Sequence, residues 1–330
     1  MPAVRGGSVF RVAVLALLWG SGFLWTKLAL RGFTPEQVVL GRLALGALVL
    51  LAVLRLVKQR LPQGRMTWFH LTLAAATGNV IPYLMMSVGL REVDSAVAGM
   101  INATTPVWTV LIALAARQGQ RFSLVVGGGV VTGLAGTILI FAPWQLGSQF
   151  TSAGAMACLV AAFSYGISYV YLARFLTNRG NGPLGLSAGQ LLVASALTAL
   201  VLPFGGLHPP QWQPDAVISL LILGILGTGA AFVVNYRIVT DDGAIAGSAV
   251  IYLLPAVAII LGALVLDEQP TSHALLGVLV VLIGVTLTRW PGARATREPH
   301  AAGTGPTGAG PASGQRFRSR GSDEAELQSR

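Results

Sequence analysis

The chain has 330 residues, of which 54% are hydrophobic and only 10% charged. Soluble domains carry about 25% charged residues, so this chain has too little polar surface to cover its apolar mass. Composition excludes a soluble globular class and points to a polytopic membrane protein. A net charge of +10 would suggest nucleic acid as partner of a soluble chain; here the positions of the charges carry the information, and no nucleic-acid partner is expected.

Ten apolar segments follow one another at 10–30, 36–57, 67–89, 94–115, 122–142, 152–172, 184–204, 215–236, 244–266 and 272–289. Each is close to the roughly 20 residues a helix needs to cross a hydrocarbon core. In lipid the backbone must satisfy itself within the segment, so these are expected to be helices. The first follows Arg5 and Arg11 but is too long for a secretory signal and lacks a small-x-small cleavage site, so it reads as a retained helix. The connections are short and turn-like, as at Gly32 to Pro35 and Asp241-Asp242-Gly243. From Pro291 the sequence loses apolar periodicity, and residues 291–330 read as a disordered tail. The single cysteine, Cys158, leaves no intrachain disulfide and no multi-cysteine metal site.

Lysine and arginine set the orientation. With the N-terminus inside, 18 of them fall on the inner side and Lys27, Arg31 and Arg91 on the outer; Arg42 lies within the second segment. Without the tail the ratio is still 11 to 3. An even helix count returns the C-terminus to the inner side.

The chain also repeats itself. Pro255 falls on Pro106 at an offset of 149 residues, and Gly277 and Gly284 fall on Gly129 and Gly136 after a one-residue slip. Five helices per copy is an odd number, so the two copies must insert with opposite orientations, a signature of secondary transporters. The expected fold is therefore an all-α membrane protein of ten transmembrane helices in two inverted five-helix repeats, residues 1–146 and 147–290, followed by a cytoplasmic tail.

The residues then resemble a family. Leu18-Trp19-Gly20-Ser21-Gly22-Phe23 with Lys27 below, Gly41-Arg42-Leu43, the small residues leading to Pro106 and Pro255, and Asp267-Glu268-Gln269-Pro270 followed by Gly277 and Gly284 are similar to the EamA-type branch of the drug/metabolite transporter superfamily. The resemblance covers residues 10 to 290. Gln120 departs from it, standing in the first elbow at the usual glutamate. The resemblance implies export or uptake of small metabolites, often amino acids, across a bacterial inner membrane.

Polar residues inside the segments are the candidate substrate pathway. Lys27 and Arg42 are the cations within or near the hydrocarbon, where a charge costs roughly 2.5–3.5 kcal/mol and therefore tends to face a cavity or a partner. Lys27 shares a face with Trp19 and Phe23, but could instead snorkel to the outer headgroups. The third segment offers Asn79 and Tyr83, the fourth Asn102, Thr105 and Thr109, the sixth Tyr165, Ser168 and Tyr169, the eighth Thr228, Asn235 and Tyr236, and the ninth Tyr252. Gln190 stands in the seventh where the first copy has Arg42. Any one of these could serve only an interhelical hydrogen bond; as a set they read as a lining. Pro106 and Pro255 read as kinks, either gate hinges or fixed bends. Gly129-x3-Gly133 reads as helix packing, and Asp241-Asp242 as a solvated turn rather than a metal-binding pair. Trp68, Trp144, Trp212 and Trp290 sit at segment ends as interface anchors.

No Asp or Glu lies well inside any segment, and the four histidines are at ends, loops or tail. The usual carboxylate for proton coupling is thus missing, and basic residues near the cavity suit anionic or zwitterionic ligands. There is no HExxH or Gly-x-Ser-x-Gly motif, so an enzyme is not expected, nor is a cofactor or metal. The reading is an alternating-access carrier of a small metabolite, an amino acid or other carboxylate-bearing solute, in export, with membrane lipid as its surroundings and both termini cytoplasmic. The alternatives are a flippase of lipid-linked cargo and an intramembrane enzyme of unassigned chemistry.

Overall fold

The computed structural model describes residues 6–89, 92–93, 95–116, 124–142, 144, 152–265 and 271–288. The described residues fall in one compact unit, Met1–Ala295; a second unit, Thr296–Arg330, lies outside them. So do Gln120, the elbow Asp267 to Pro270 and the tail. Among the described residues there is no strand.

Among the described residues, eight helices are long and apolar enough to cross a membrane. They are α1 (Gly7–Thr26), α2 (Pro35–Leu56), α3 (Arg65–Gly89), α4 (Val97–Ala115), α5 (Leu124–Phe141), α6 (Ala153–Phe175), α7 (Pro183–Phe204) and α8 (Pro214–Asp242). Two shorter apolar helices complete the order, α9 (Ala244–Val257) and α10 (Ser272–Thr288); helical turns after Leu253 carry α9 on to Val265. The ends obey local chemistry. At the head of α2, Thr34 accepts from the Gln37 amide while the Gln37 side chain accepts from the Thr34 amide, a reciprocal cap with Pro35 in the first turn. At the head of α6, Ser152 accepts from Ala155, and the Glu92 carboxylate, 62 residues upstream, accepts from the Gly154 amide at 2.6 Å.

Two pairs of these helices are irregular in matched ways. A one-turn π-bulge interrupts α3 at Ala76–Val80 and α8 at Ile225–Ala230, starting 149 residues apart. α4 breaks at Ala103-Thr104, where Thr104 and Thr105 turn their hydroxyls back onto the carbonyls of Ile101 and Asn102. α9 tightens into a 3-10 turn at Ala249–Tyr252. Pro106 and Pro255 lie in the first turns of the half-helices that follow these irregular stretches. Such interior breaks survive away from water only where the freed backbone groups find partners, as the threonines provide here.

Packing is closest where side chains vanish. α5 lies along α10, with Gly129 and Gly136 facing α10 and Gly277 and Gly284 facing α5, while Gly133 makes room for the Tyr252 ring. A Cβ on Gly284 would stand 2.4 Å from the Gly133 nitrogen, so backbone meets backbone there. α2 packs on α7, α3 and α4 on α6, and α1 on α8 and α9.

α1 and α8 are also pinned at both ends. Arg11 meets Asp241 at 3.0 Å, Arg237 meets the same carboxylate at 3.1 Å, and Ser8 donates to Asp242 at 2.8 Å. At the opposite end Arg31 meets Asp215 at 3.2 Å. This corrects the expectation of a turn at Asp241-Asp242, although Asp241 is exposed as expected. Both residues complete the last turn of α8, and the chain turns only at Gly243, whose φ of 90° suits glycine.

Candidate functional site

Among the described residues, a cavity of about 300 Å3 is lined from eight of these helices, and α5 and α10 supply none of its lining. α1 lines it with Leu18, Trp19, Gly22 and Thr26, and α2 with Pro35, Val38, Val39 and Arg42. α3 adds Gly78, Tyr83, Met86 and Ser87, and α4 adds Asn102. α6 adds Tyr165, Ser168, Tyr169 and Leu172, α7 Gln190, α8 Phe232 and Asn235, and α9 Ile251 and Leu254. Leu30, between α1 and α2, also lines it. The cavity therefore reaches the end of the bundle where α1 joins α2 and α3 ends. Toward the other end it goes no further than Leu172, Gln190 and Asn235.

Among the described residues, Arg42 is the only charged one lining the cavity. Its Nε donates to Thr228 Oγ1 at 3.0 Å, and its guanidinium carbon sits 4.5 Å from the centre of the Tyr83 ring. Among the described residues no carboxylate pairs with it, and its two Nη groups make no hydrogen bond. A guanidinium held by one neutral bond and one aromatic face keeps its planar fork available for an anion.

Gln190, at the matching position of α7, is placed differently. It is fully enclosed, donates from Nε2 to Asn79 Oδ1 at 2.7 Å and to the Ala74 carbonyl at 3.3 Å, and accepts from the Tyr236 hydroxyl. Both residues reach a π-bulge. Thr228 lies in the bulge of α8 and Asn79 in the bulge of α3, again 149 residues apart. The bulges re-aim these side chains, and their loosened carbonyls recruit donors: Ser164 donates to the Thr77 carbonyl at 2.8 Å. Gly78 brings α3 against α6, since a Cβ there would stand 2.4 Å from Ser168 Oγ.

The rest of the wall is aromatic and amide. Tyr83 meets Tyr165 edge-on at 6.4 Å, as Trp19 meets Phe232. The hydroxyls of Tyr83, Tyr165 and Tyr169 make no hydrogen bond among the described residues. Asn102 and Asn235 each carry a buried Oδ1 without a donor, an arrangement that costs about 1–3 kcal/mol unless something else supplies one.

Of the residues singled out in the sequence, Trp19, Arg42, Tyr83, Asn102, Tyr165, Ser168, Tyr169, Gln190 and Asn235 line this cavity together. Asn79 stands one layer behind, bonded to Gln190. Thr105 is buried against the break in α4. Tyr252 is also away from the cavity, its hydroxyl donating to the Val130 carbonyl of α5 at 2.9 Å. Nothing is described of the Lys27 side chain. Sequence reasoning missed Val38, Val39, Met86, Ser87, Phe232, Ile251 and Leu254. The offset of 149 could have found several of them, since it carries Tyr83 to Phe232, Met86 to Asn235 and Asn102 to Ile251.

Comparison with known proteins agrees with this architecture. The EamA-like transporter family profile matches twice, at residues 7–142 and 152–290. The chain is 28% identical to the uncharacterized transporter YdfC of Bacillus subtilis (strain 168) over 273 residues, covering 82% of this chain and 87% of that protein. It is 25% identical to an uncharacterized transporter of Archaeoglobus fulgidus, covering 84% of this chain and 95% of that one. A "Probable terminal-alkyne amino-acid exporter" of Streptantibioticus cattleyicolor is 25% identical, covering 85% of this chain and 92% of that protein. A solved crystal structure shares the fold with a TM-score of 0.72 at 20% identity, covering 86% of this chain and 98% of that one. A double family match over most of its length, on a bundle of membrane-length helices, places this chain in the EamA-like transporter family, as a multi-pass membrane transporter and not an enzyme.

Proposed function

We propose that the chain is a ten-helix secondary carrier that moves a small carboxylate-bearing metabolite, an amino acid first among them, by alternating access. The direction is export across a bacterial inner membrane, with both termini cytoplasmic. One observation carries the reading: a single guanidinium, without an acidic partner among the described residues, presents its fork to a cavity of ligand size. Trp19, Tyr83, Asn102, Tyr165, Ser168, Tyr169, Gln190 and Asn235 form the substrate pathway around it, with Asn79 behind Gln190. Unpaired phenol and amide groups suit a zwitterion, and aromatic faces tolerate an ammonium.

The two copies, residues 1–146 and 147–290, are inverted repeats, with 291–330 as a tail. The matched bulges support this, as do the paired bonds from Arg42 to Thr228 and from Gln190 to Asn79. With the basic loops inside, the cavity opens outward and the Arg11–Asp241–Arg237 cluster lies at the closed inner end. Pro106 and Pro255 lie at the breaks about which the half-helices swing. The name of the Streptantibioticus relative agrees with amino-acid export.

The test is solute counterflow with the purified chain in vesicles, using a panel of amino acids, non-amino carboxylates and quaternary cations. Uptake confined to the first two groups supports the reading. Uptake of the cations, or scrambling of a labelled lipid without counterflow of any panel member, overturns it.

A further inference from the structure

The three groups that hold Gln190 have counterparts in the other copy of the sequence, where Arg42 stands 148 residues before Gln190. At the offset of 149, Asn79 corresponds to Thr228, the Ala74 carbonyl to that of Leu223, and Tyr236 to Ser87. Gln190 engages all three of its partners. Of the three counterparts, Arg42 engages Thr228 alone among the described residues. Ser87 lines the same cavity as Arg42, toward its open end, and its Oγ donates to the Tyr83 carbonyl at 2.7 Å. A hydroxyl that is donating still has lone pairs to offer. The set is thus complete around Gln190, while at Arg42 only the counterpart of Asn79 is engaged.

We propose that Ser87 is the outer latch of the carrier, accepting a hydrogen bond from an Arg42 Nη group in the state where the outer side is shut. This rests on the reading of two inverted repeats that exchange conformations. When the Tyr236–Gln190 contact opens at the inner half, the equivalent set at the outer half completes. The longer guanidinium offsets part of the shorter serine side chain. Nε stays on Thr228, one Nη takes Ser87 and the Leu223 carbonyl, and the other holds the cargo. Closing around cargo then satisfies a guanidinium that the open state leaves underused. Ser87 is a positioning residue, acting through Arg42.

The experiment places single cysteines in a Cys158→Ala background, Thr26→Cys near the open mouth and Leu172→Cys at the inner limit of the cavity. A membrane-impermeant maleimide is applied outside to right-side-out vesicles and inside to inverted ones. The readout is the ratio of inner to outer labelling rates. Ser87→Ala should lower this ratio about ten- to a hundredfold, for loss of one hydrogen bond to a charged group. Tyr236→Phe should raise it, and Ser87→Thr should restore the unmodified value. A ratio unchanged in Ser87→Ala, or moving the same way as in Tyr236→Phe, overturns the latch while leaving alternating access intact. An absence of inner labelling in every variant overturns alternating access itself, and the latch with it.

Discussion

Replacing Gly284 by alanine tests how α5 and α10 are held together. The added Cβ would lie 2.4 Å from the Gly133 nitrogen, 2.7 Å from its Cα and 2.8 Å from the Gly129 carbonyl oxygen. Comfortable contact needs about 3.5–4.0 Å between heavy atoms, so the helices must part by about 1 Å or more. All three obstacles are backbone, and no side-chain rotation relieves them. Overpacking costs typically about 1–3 kcal/mol, and the unyielding neighbours place this change at the upper end. At about 2–4 °C per kcal/mol, the scale for domains of 150–250 residues, the midpoint should fall by roughly 5–10 °C. Gly128 is the control. It is exposed on the same helix as Gly133, and a Cβ there meets nothing within 4 Å. Gly128→Ala should hold or raise the midpoint, since alanine favours helix over glycine by about 1 kcal/mol. The assay is thermal unfolding of both variants in one detergent. Equal midpoints for the two would refute the close approach.

Two further outcomes follow from contacts away from the cavity. Tyr252→Phe removes the hydroxyl that α9 donates to the Val130 carbonyl, costing about 1 kcal/mol of stability. The transport KM should be unchanged, and a raised KM would return Tyr252 to the pathway. Asp241→Asn strips the carboxylate from both Arg11 and Arg237; half-exposed pairs of this kind are worth about 0.2–1 kcal/mol each. The midpoint should drop at low salt, with the deficit shrinking as ionic strength rises. A deficit that ignores salt would mean that packing, not charge, joins α1 to α8.

Much of the helix order was legible because water and lipid enforce it: each apolar run from Pro35 to Phe204 begins and ends within about three residues of its expected place. The eighth ran longer than its apolar stretch. Arg237, Asp241 and Asp242 look like a loop until Arg11 and Ser8, more than 220 residues away, supply partners. The π-bulges were not legible, because Ala76 to Val80 carries no period that marks an extra residue; the bulge is sustained by bonds from Ser164 and Gln190 on other helices. Within the site, polar residues could be singled out because lipid excludes them. Val38, Met86 and Ile251 could not, since an apolar side chain facing a cavity reads like one facing lipid. Asn79 and Gln190 were found for the right polarity, but what they do for each other depends on the packing of α3 against α7.

The most direct test of the carboxylate site is flux through Arg42 variants, normalised to folded protein in the membrane. Arg42→Gln copies the residue at the matching place in α7 and should insert normally. Losing even one charge-assisted bond to a carboxylate, about 1.5–3 kcal/mol, should cut flux of a carboxylate substrate by at least roughly ten- to a hundredfold. The uncharged carboxamide analogue should be spared. Arg42→Lys should recover only part, because lysine keeps the charge without the fork. Carboxylate flux that survives in Arg42→Gln, with normal protein levels, would contradict the account.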